Sequence, residues 1–242
     1  ITKKYKPKRL IIFSRDELKQ YEMRNKFPQK NLRFFLGDVR DLERLKFALK
    51  NVDCVIHAAA LKHVPKAEYD PYEFVKTNII GTQNLISAAI SNNVKKVMLV
   101  STDKAVNPSN IMGATKKVAE KLIQSRSYDS DVKFMAVRFG NVIGSSGSVI
   151  PTFQSQIQNG GPITITDPKM ERYFMSISES AQLILQSGSM GKGGEIFVLD
   201  MGKPVNIKDI AFELISHFLD ISSKRSSLSF LRFSFSKHFC LF

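Results

Sequence analysis

Short apolar runs alternate with helix-period runs from Arg9 to Val142, and no other feature narrows the fold of this chain as far. Arg9–Phe13 (RLIIF), Leu32–Leu36 (LRFFL), Asp53–His57 (DCVIH), Val97–Val100 (VMLV) and Lys133–Val137 (KFMAV) are strand-length segments rich in Ile, Val, Leu and Phe. Strands buried on both faces read in this way, as continuous apolar runs rather than as alternation. Between them, Asp16–Asn25, Asp41–Leu49, Pro71–Ser91 and Ala114–Ile123 read as helices. Asp41 is placed as an N-cap before Leu42, Leu45 and Leu49, while Phe74, Val75, Ile79, Ile86 and Ile90 recur at helical spacing in the longest segment. Repetition of strand, helix and strand predicts an α/β fold, with parallel βαβ units in a doubly wound sheet.

Beyond Val142 the texture changes. Gly144–Ser148 (GSSGS) is a flexible loop, followed by a helix near Thr152–Gln158, a strand at Ile163–Thr166, a helix near Ser178–Gln186, a strand at Ile196–Leu199 and a last helix at Ile207–Phe218. The 21 residues from Ser222 hold seven serines, five phenylalanines, four basic residues and no acid. They lack periodicity and turn chemistry, and read as a real tail, a membrane-surface patch or, the favoured reading, sequence translated out of frame. At the other end, the chain opens just before what reads as the second strand of a Rossmann-like sheet, with the first strand and its glycine-rich turn missing. One literal match to G-x-x-G-x-x-G, at Gly188, Gly191 and Gly194, precedes a strand instead of joining a strand to a helix, and so is rejected as a phosphate cradle.

The formal net charge of +14 points to an anionic partner, whether nucleic acid, an acidic membrane surface or a phosphorylated small molecule. The basic residues are spread, with only Lys3, Lys4, Lys6, Lys8 and Arg9 clustered, and neither zinc-finger spacing nor basic-aromatic interleaving is present. A nucleic-acid partner is therefore not expected. Cys54 and Cys240 are too few for a disulfide framework or a zinc site, and no metal is expected. Cys54 sits in an apolar run, where a buried free thiol is the expectation, in keeping with a reducing compartment. No signal peptide opens the sequence, and no apolar run approaches the roughly 18 residues of a membrane span, so a cytoplasmic chain without a membrane segment is expected.

The chemistry concentrates in Ser101–Lys116 (STDKAVNPSNIMGATK). A strand delivers Thr102, Asp103 and Lys104 to its C-terminal end, where open α/β sheets bind ligands, and a helix then presents Met112 and Lys116 one turn apart. Hydroxyl, acid and amine groups side by side are suited to moving protons. Ser14 and Arg15 follow the first visible strand; an arginine there accommodates the 2′-phosphate of NADP, despite Asp16 beside it. Asp38 and Val39 end the next strand, where an aspartate can hold an adenine amino group. Ala58, Ala59 and Ala60 end the one after, where small side chains let a planar cofactor approach the backbone.

Together, SRDELKQ, GDVRD, HAAALKHVP, KTNIIGTQN, STDKAVNP, MGATK, RFGNVIGSSGSVIP, ITDPKMERYF and GGEIFV resemble the extended short-chain dehydrogenase/reductases. Within that superfamily they resemble the polysaccharide-biosynthesis, CapD-like UDP-N-acetylglucosamine 4,6-dehydratases, over about Lys8 to Phe218. The resemblance implies a partial NADP-binding Rossmann domain over residues 1–142, a substrate-binding cap region over 143–218, partly interleaved with it, and a tail over 219–242. It implies an internal redox cycle on a UDP-sugar, in which the C4 hydride is taken up, water leaves across C5–C6 and the hydride returns to C6. Asp103 then matches the acid for the departing 6-hydroxyl, Lys104 the base for the C5 proton, Thr102 a hydrogen-bond partner of the C4 oxygen, and Lys116 the lysine on the nicotinamide ribose. Lys62, Asn141, Val149, Arg172 and Glu195 match positions that grip the sugar nucleotide. Met112 departs from the superfamily: most members have tyrosine there, and a thioether cannot take the C4 hydroxyl proton. Some members of the dehydratase branch carry methionine too, which places that task on Asp103, directly or through Thr102 or water. The resemblance also implies a homo-oligomer for the full-length protein. The competing readings are an epimerase of the same superfamily and a truncated, non-catalytic remnant.

Overall fold

The computed structural model describes residues 1, 5–145, 148–223 and 233–234. The chain divides into two compact units, Ile1–Arg138 with Gln186–Val198, and Phe139–Leu185 with Leu199–Phe242.

The first unit carries the parallel sheets of an α/β fold. Strands β1 (Leu10–Ser14) and β2 (Leu32–Leu36) pair in parallel, with Leu10 opposite Leu32 and Ser14 opposite Leu36. Strands β3 (Cys54–His57), β4 (Lys96–Val100) and β5 (Lys133–Arg138), with the strand Ile196–Val198 beyond β5, form a second parallel sheet. Among the described residues β1 pairs only with β2 and β3 only with β4, so the parallel strands form two separate ladders. Helices α1 (Glu17–Lys26) and α2 (Leu42–Ala48) are capped by the side chains of Asp16 and Asp41, as such residues favour.

The middle of the larger sheet is the core. Phe134, Met135, Ala136 and Val137 of β5 are each 0% exposed, and Val97 and Leu99 of β4 are nearly so. Phe134 and Ala136, with Val97 and Leu99, pack with Leu85, Ile86 and Ala89 of helix α5 (Gly81–Ser91) and with Ala119 and Ile123 of helix α6 (Ile111–Arg126). Each fully buried large apolar side chain contributes about 1.5–3 kcal/mol, which makes this block the anchor of the strand ends beside it. β3 lies at the sheet's end, and its Cys54 is exposed. The expectation of a buried thiol is thus corrected: a strand with one neighbour covers only part of its surface.

Pro71–Ser91 is not one α-helix. After a short helix α3 (Val64–Tyr69) come α4 (Pro71–Phe74), a wide π turn at Val75–Ile80 and α5 (Gly81–Ser91). Gly81 makes the turn fit, since a Cβ there would lie 2.7 Å from Val39 Cγ2. The glycines near residue 190 also have structural reasons: a Cβ on Gly191 would sit 2.5 Å from Met135 Sδ, and Gly193 and Gly194 have φ of 114° and 89°.

The second unit has its own core, built from Phe153 and Ile157 of α7 (Val149–Gln158), Ile163, Ile165, and Ile207, Ala211 and Ile215 of α9 (Ile207–Ser223). Helix α8 (Ile177–Met190) runs across the division between the units. Two-residue strands pair Asn141–Val142 with Phe174–Met175 and Glu171–Arg172 with Val205–Asn206. Helix α9 continues past Phe218, where its end was expected. Of the tail beyond Ser223, residues 224–232 and 235–242 lie outside the described residues.

Candidate active site

The C-terminal end of β4 delivers the proton-handling residues together. Ser101 N–H donates to the Val137 carbonyl at 2.8 Å, which ties the chain to β5 as it leaves the sheet. Thr102 then caps a single 3₁₀ turn, Asp103–Ala105. Three donors meet on Asp103 Oδ1: Thr102 Oγ1 at 2.8 Å, Lys104 Nζ at 3.0 Å and the Lys104 backbone N–H at 2.8 Å. Oδ2 takes none of them. Burial raises the Asp103 pKa, but the Lys104 ammonium and these hydrogen bonds outweigh it and hold the carboxyl below its usual range. Asp103 is therefore an ionised acceptor at neutral pH, with a hydroxyl and an amine in contact.

Helix α6 (Ile111–Arg126) starts where Asn110 caps Gly113 N–H at 2.8 Å. It carries two buried residues toward this turn. Lys116 Nζ donates to the Val100 carbonyl at 2.8 Å, and burial, partly offset by Glu120, pulls its pKa down to about 8. Met112, 4% exposed, joins an apolar cluster with Ala67 and Phe74. The thioether is thus a packing group on the same buried side as the lysine.

A second cluster gathers at the ends of β1 and β2. The Ser14 carbonyl accepts from Gly37 N–H at 3.0 Å, and Gln20 Nε2 donates to both Ser14 oxygens. Asp38 binds Arg40 through both carboxylate oxygens, and Arg15 lies 3.6 Å away. Burial pushes Asp38 up, yet the Arg40 hydrogen bonds and the two arginine charges leave its pKa below the ordinary value. Val39 is buried in the core, and its carbonyl accepts from Asn84, so its side chain is committed to packing. Ala58 and Ala59 are exposed after β3 and offer open backbone.

The remaining candidates are more scattered. Lys62 is exposed. Glu195 accepts from the backbone N–H groups of Lys192 and Gly193 at 2.7 Å each; burial opposes and these bonds favour its ionised form, and the net pKa is lowered. It is engaged in closing its own turn. Asn141, Val149 and Arg172 belong to the second unit. There Asn141 N–H donates to Tyr173, Val149 opens α7, and Arg172 Nη1 donates to the Glu171 carbonyl at 2.8 Å.

A family model described as polysaccharide biosynthesis protein matches residues 1–231. This chain belongs to the polysaccharide biosynthesis protein family. An uncharacterized membrane protein of Methanocaldococcus jannaschii is 50% identical to this family member over 210 residues, 86% of this chain and 63% of that protein. A UDP-N-acetylglucosamine 4,6-dehydratase (inverting) of Campylobacter jejuni is 47% identical over 214 residues, 87% of this chain and 64% of that enzyme. UDP-glucose 4-epimerases of Rickettsia are related as well. Among solved structures, Pen from Bacillus thuringiensis matches with a TM-score of 0.86 and 43% identity, over 89% of this chain and 69% of that one. The chain spans from 30% to 64% of the length of these curated relatives and others like them.

In this chain, two residues that sequence reasoning left unassigned organise the site. Asn78, inside the π turn, accepts from Leu61 N–H at 2.8 Å, and its Nδ2 donates to the Leu61 carbonyl and to Thr115 Oγ1, each at 3.0 Å. It thereby fixes the loop of Ala58–Ala60 and Lys62 to helix α6. The signal was present in the KTNIIGTQN segment, where a polar pair interrupts an apolar helical face. His57 is the other: buried, bonded to Thr82 Oγ1 at 3.1 Å, its pKa driven to about 3 by burial and the nearby Lys116 charge, it is a neutral spacer below the alanines.

Proposed function

We propose that this chain carries the chemical centre of an NADP-dependent UDP-N-acetylglucosamine 4,6-dehydratase of the C5-inverting kind. Its product, a 6-deoxy-4-keto sugar nucleotide, would serve capsule, O-antigen or flagellin glycan synthesis. The observation that carries the reading is the convergence of Thr102 and Lys104 on one oxygen of an ionised Asp103. The Campylobacter jejuni relative, an inverting UDP-N-acetylglucosamine 4,6-dehydratase, supports the substrate and the stereochemistry.

The side chains present fit a nicotinamide dinucleotide. Arg15 is half-exposed and only loosely held by Asp38, free to turn a planar fork onto a 2′-phosphate, which favours NADP over NAD. Asp38 suits the adenine edge, Ala58–Ala60 leave room for a flat group, and Lys116 supplies a buried cation for the nicotinamide ribose. NADP, when bound, would store the C4 hydride and give it back at C6.

The chain's own groups handle the protons. Asp103 accepts the C4 hydroxyl proton, by way of the Thr102 hydroxyl, as the C4–H bond breaks, and so becomes the acid the next step needs. The 4-keto group weakens the C5–H bond, and Lys104 is the base proposed to take that proton. Asp103 passes its proton to the departing C6 hydroxyl, which leaves as water. A proton from solvent reaches C5 on the opposite face as the hydride returns to C6, and Lys104 releases the proton it took to solvent. An epimerase needs no acid for a leaving C6 hydroxyl, so the Asp103–Lys104 contact favours dehydration over that alternative. Asn141, Val149, Arg172, Lys62 and Glu195 are proposed to bind the UDP-sugar, Glu195 only after it releases its turn.

Proton NMR of UDP-N-acetylglucosamine incubated with the protein and NADP tests the reading. A new C6 methyl signal with loss of the C6 hydroxymethyl signal is expected, and Asp103→Asn should slow its growth about 10²–10⁴-fold. A product that keeps its hydroxymethyl group and inverts at C4 would replace dehydration with epimerisation.

A further inference from the structure

Beneath the proposed centre the buried Ser101 and Glu120 and the partly buried Arg138 form a hydrogen-bonded triad that the mechanism does not use. Glu120, 0% exposed, accepts from Ser101 Oγ at 2.5 Å and from Arg138 Nε at 2.8 Å on Oε1, and from Arg138 Nη2 at 2.6 Å on Oε2. Three elements meet in it: α6 through Glu120, the end of β4 through Ser101, and the end of β5 through Arg138. We infer that Glu120 is a positioning residue, which fixes Ser101 directly ahead of Thr102 and Asp103 and balances the charge of Lys116 one turn away on the same helix. This rests on the dehydratase reading only for its consequence in catalysis; the coupling itself is a property of the folded chain.

The geometry requires a reason of this kind. A buried ion pair is weak evidence for stability, because desolvation of both charges offsets most of their attraction. An apolar pair would pack the space at no such cost. What an apolar pair could not do is accept the Ser101 hydroxyl or place a negative charge beside Lys116. Among the described residues, the Lys116 helix presents Glu120 to it, β4 presents the Val100 carbonyl, and β3 presents His57, which is neutral. Glu120 is thus the group that opposes the effect of burial on the lysine, which a cofactor-binding role needs charged.

The test reads the lysine itself. The protein is prepared with ε-¹³C-labelled lysine, and the Lys116 resonance is assigned by its loss in Lys116→Met. In the unaltered chain, burial is expected to place its titration midpoint at about 8. In Glu120→Gln, which keeps the size and an acceptor for Ser101, the midpoint should fall by roughly one unit, the usual effect of removing a neighbouring opposite charge. Ser101→Ala leaves the Glu120–Arg138 pair intact and should leave the midpoint in place. If E120Q alone does not fold, the double variant Glu120→Gln, Arg138→Gln removes both charges, leaves no orphaned cation and should shift the midpoint the same way. A midpoint unchanged in these variants overturns the inference, whether or not the chain turns over substrate. A shifted midpoint in a chain that makes no 4-keto product supports the coupling and sinks the dehydratase reading alone. Where turnover is present, the alkaline limb of the pH–rate profile should move with the midpoint. A loss of kcat equal at every pH, with the limb in place, would reduce Glu120 to a structural part and overturn its proposed role.

Discussion

Gly113 is the residue at which the candidate site tolerates least. A Cβ there would lie 2.5 Å from the Lys104 carbonyl oxygen and 3.2 Å from its carbon, both backbone atoms that cannot swing aside. The glycine therefore lets α6 press directly against the turn that holds Asp103 and Lys104. Gly113→Ala is expected to destabilise the protein by about 1–3 kcal/mol, as overpacking does. It should also cost turnover about 10²-fold, the effect of a 1 Å misplacement in a positioned site. Thermal unfolding and product formation measured side by side check this; an alanine variant with unchanged melting and turnover would show that the close approach is dispensable. The same scale shows what a sequence can reveal of a site. Thr102, Asp103 and Lys104 were legible because their chemistry is contiguous. Glu120 and Arg138 were not, since each reads as an ordinary charge on its own element and only the tertiary fold brings their side chains to 2.6 Å.

At the scale of elements, the interruption of the helix after Pro71 matters most. A π turn widens the helix by a residue and often marks a functional site. Here it lets Asn78 point at both the Leu61 backbone and Thr115, while Thr77 Oγ1 is left buried without a hydrogen-bond partner among the described residues. An unsatisfied buried hydroxyl costs about 1–3 kcal/mol, and an apolar group of the same shape relieves that cost. Thr77→Val should thus raise the melting temperature by a few degrees, whereas a drop would mean that the hydroxyl has a partner such as water. The apolar runs announced β1 to β5 because a strand buried on two faces must be apolar throughout. The π turn was hidden, since its residues keep helical spacing. The two-residue strands of the second unit were hidden too, because a pair such as Asn141–Val142 is too short to show any period. Cys54 misled for a related reason: its run is apolar, but exposure was decided by the strand's place at the sheet's end.

For the molecule as a whole, the division of the parallel strands into two ladders sets where stability is concentrated. β4 and β5 each pair on both sides and are buried by α5 and α6. β1 and β2 pair only with each other among the described residues, and every residue of β1 is only partly buried. A two-stranded ladder is marginal alone, and here it is held by Gln20 of α1, which donates to the Ser14 and Phe35 carbonyls, by Arg44 of α2, which donates to the Leu36 carbonyl, and by Phe13 packed against the core. Hydrogen exchange should therefore resolve two classes. Amides of Val97–Val100 and Phe134–Val137 should open only with global unfolding, while those of Ile11–Ser14 and Arg33–Leu36 should exchange roughly 10²-fold faster through a sub-global opening. The difference bears on function because Ser14, Arg15 and Asp38 ride on that weaker ladder, whereas Thr102, Asp103 and Lys104 ride on the stronger. If NADP binds as proposed, its addition should slow exchange in the weaker ladder by up to the free energy of binding and leave the β4 and β5 amides nearly unchanged. Uniform protection of both ladders without NADP would mean that the split sheet opens as one unit, and that the proton-handling turn is no more firmly founded than the cofactor side.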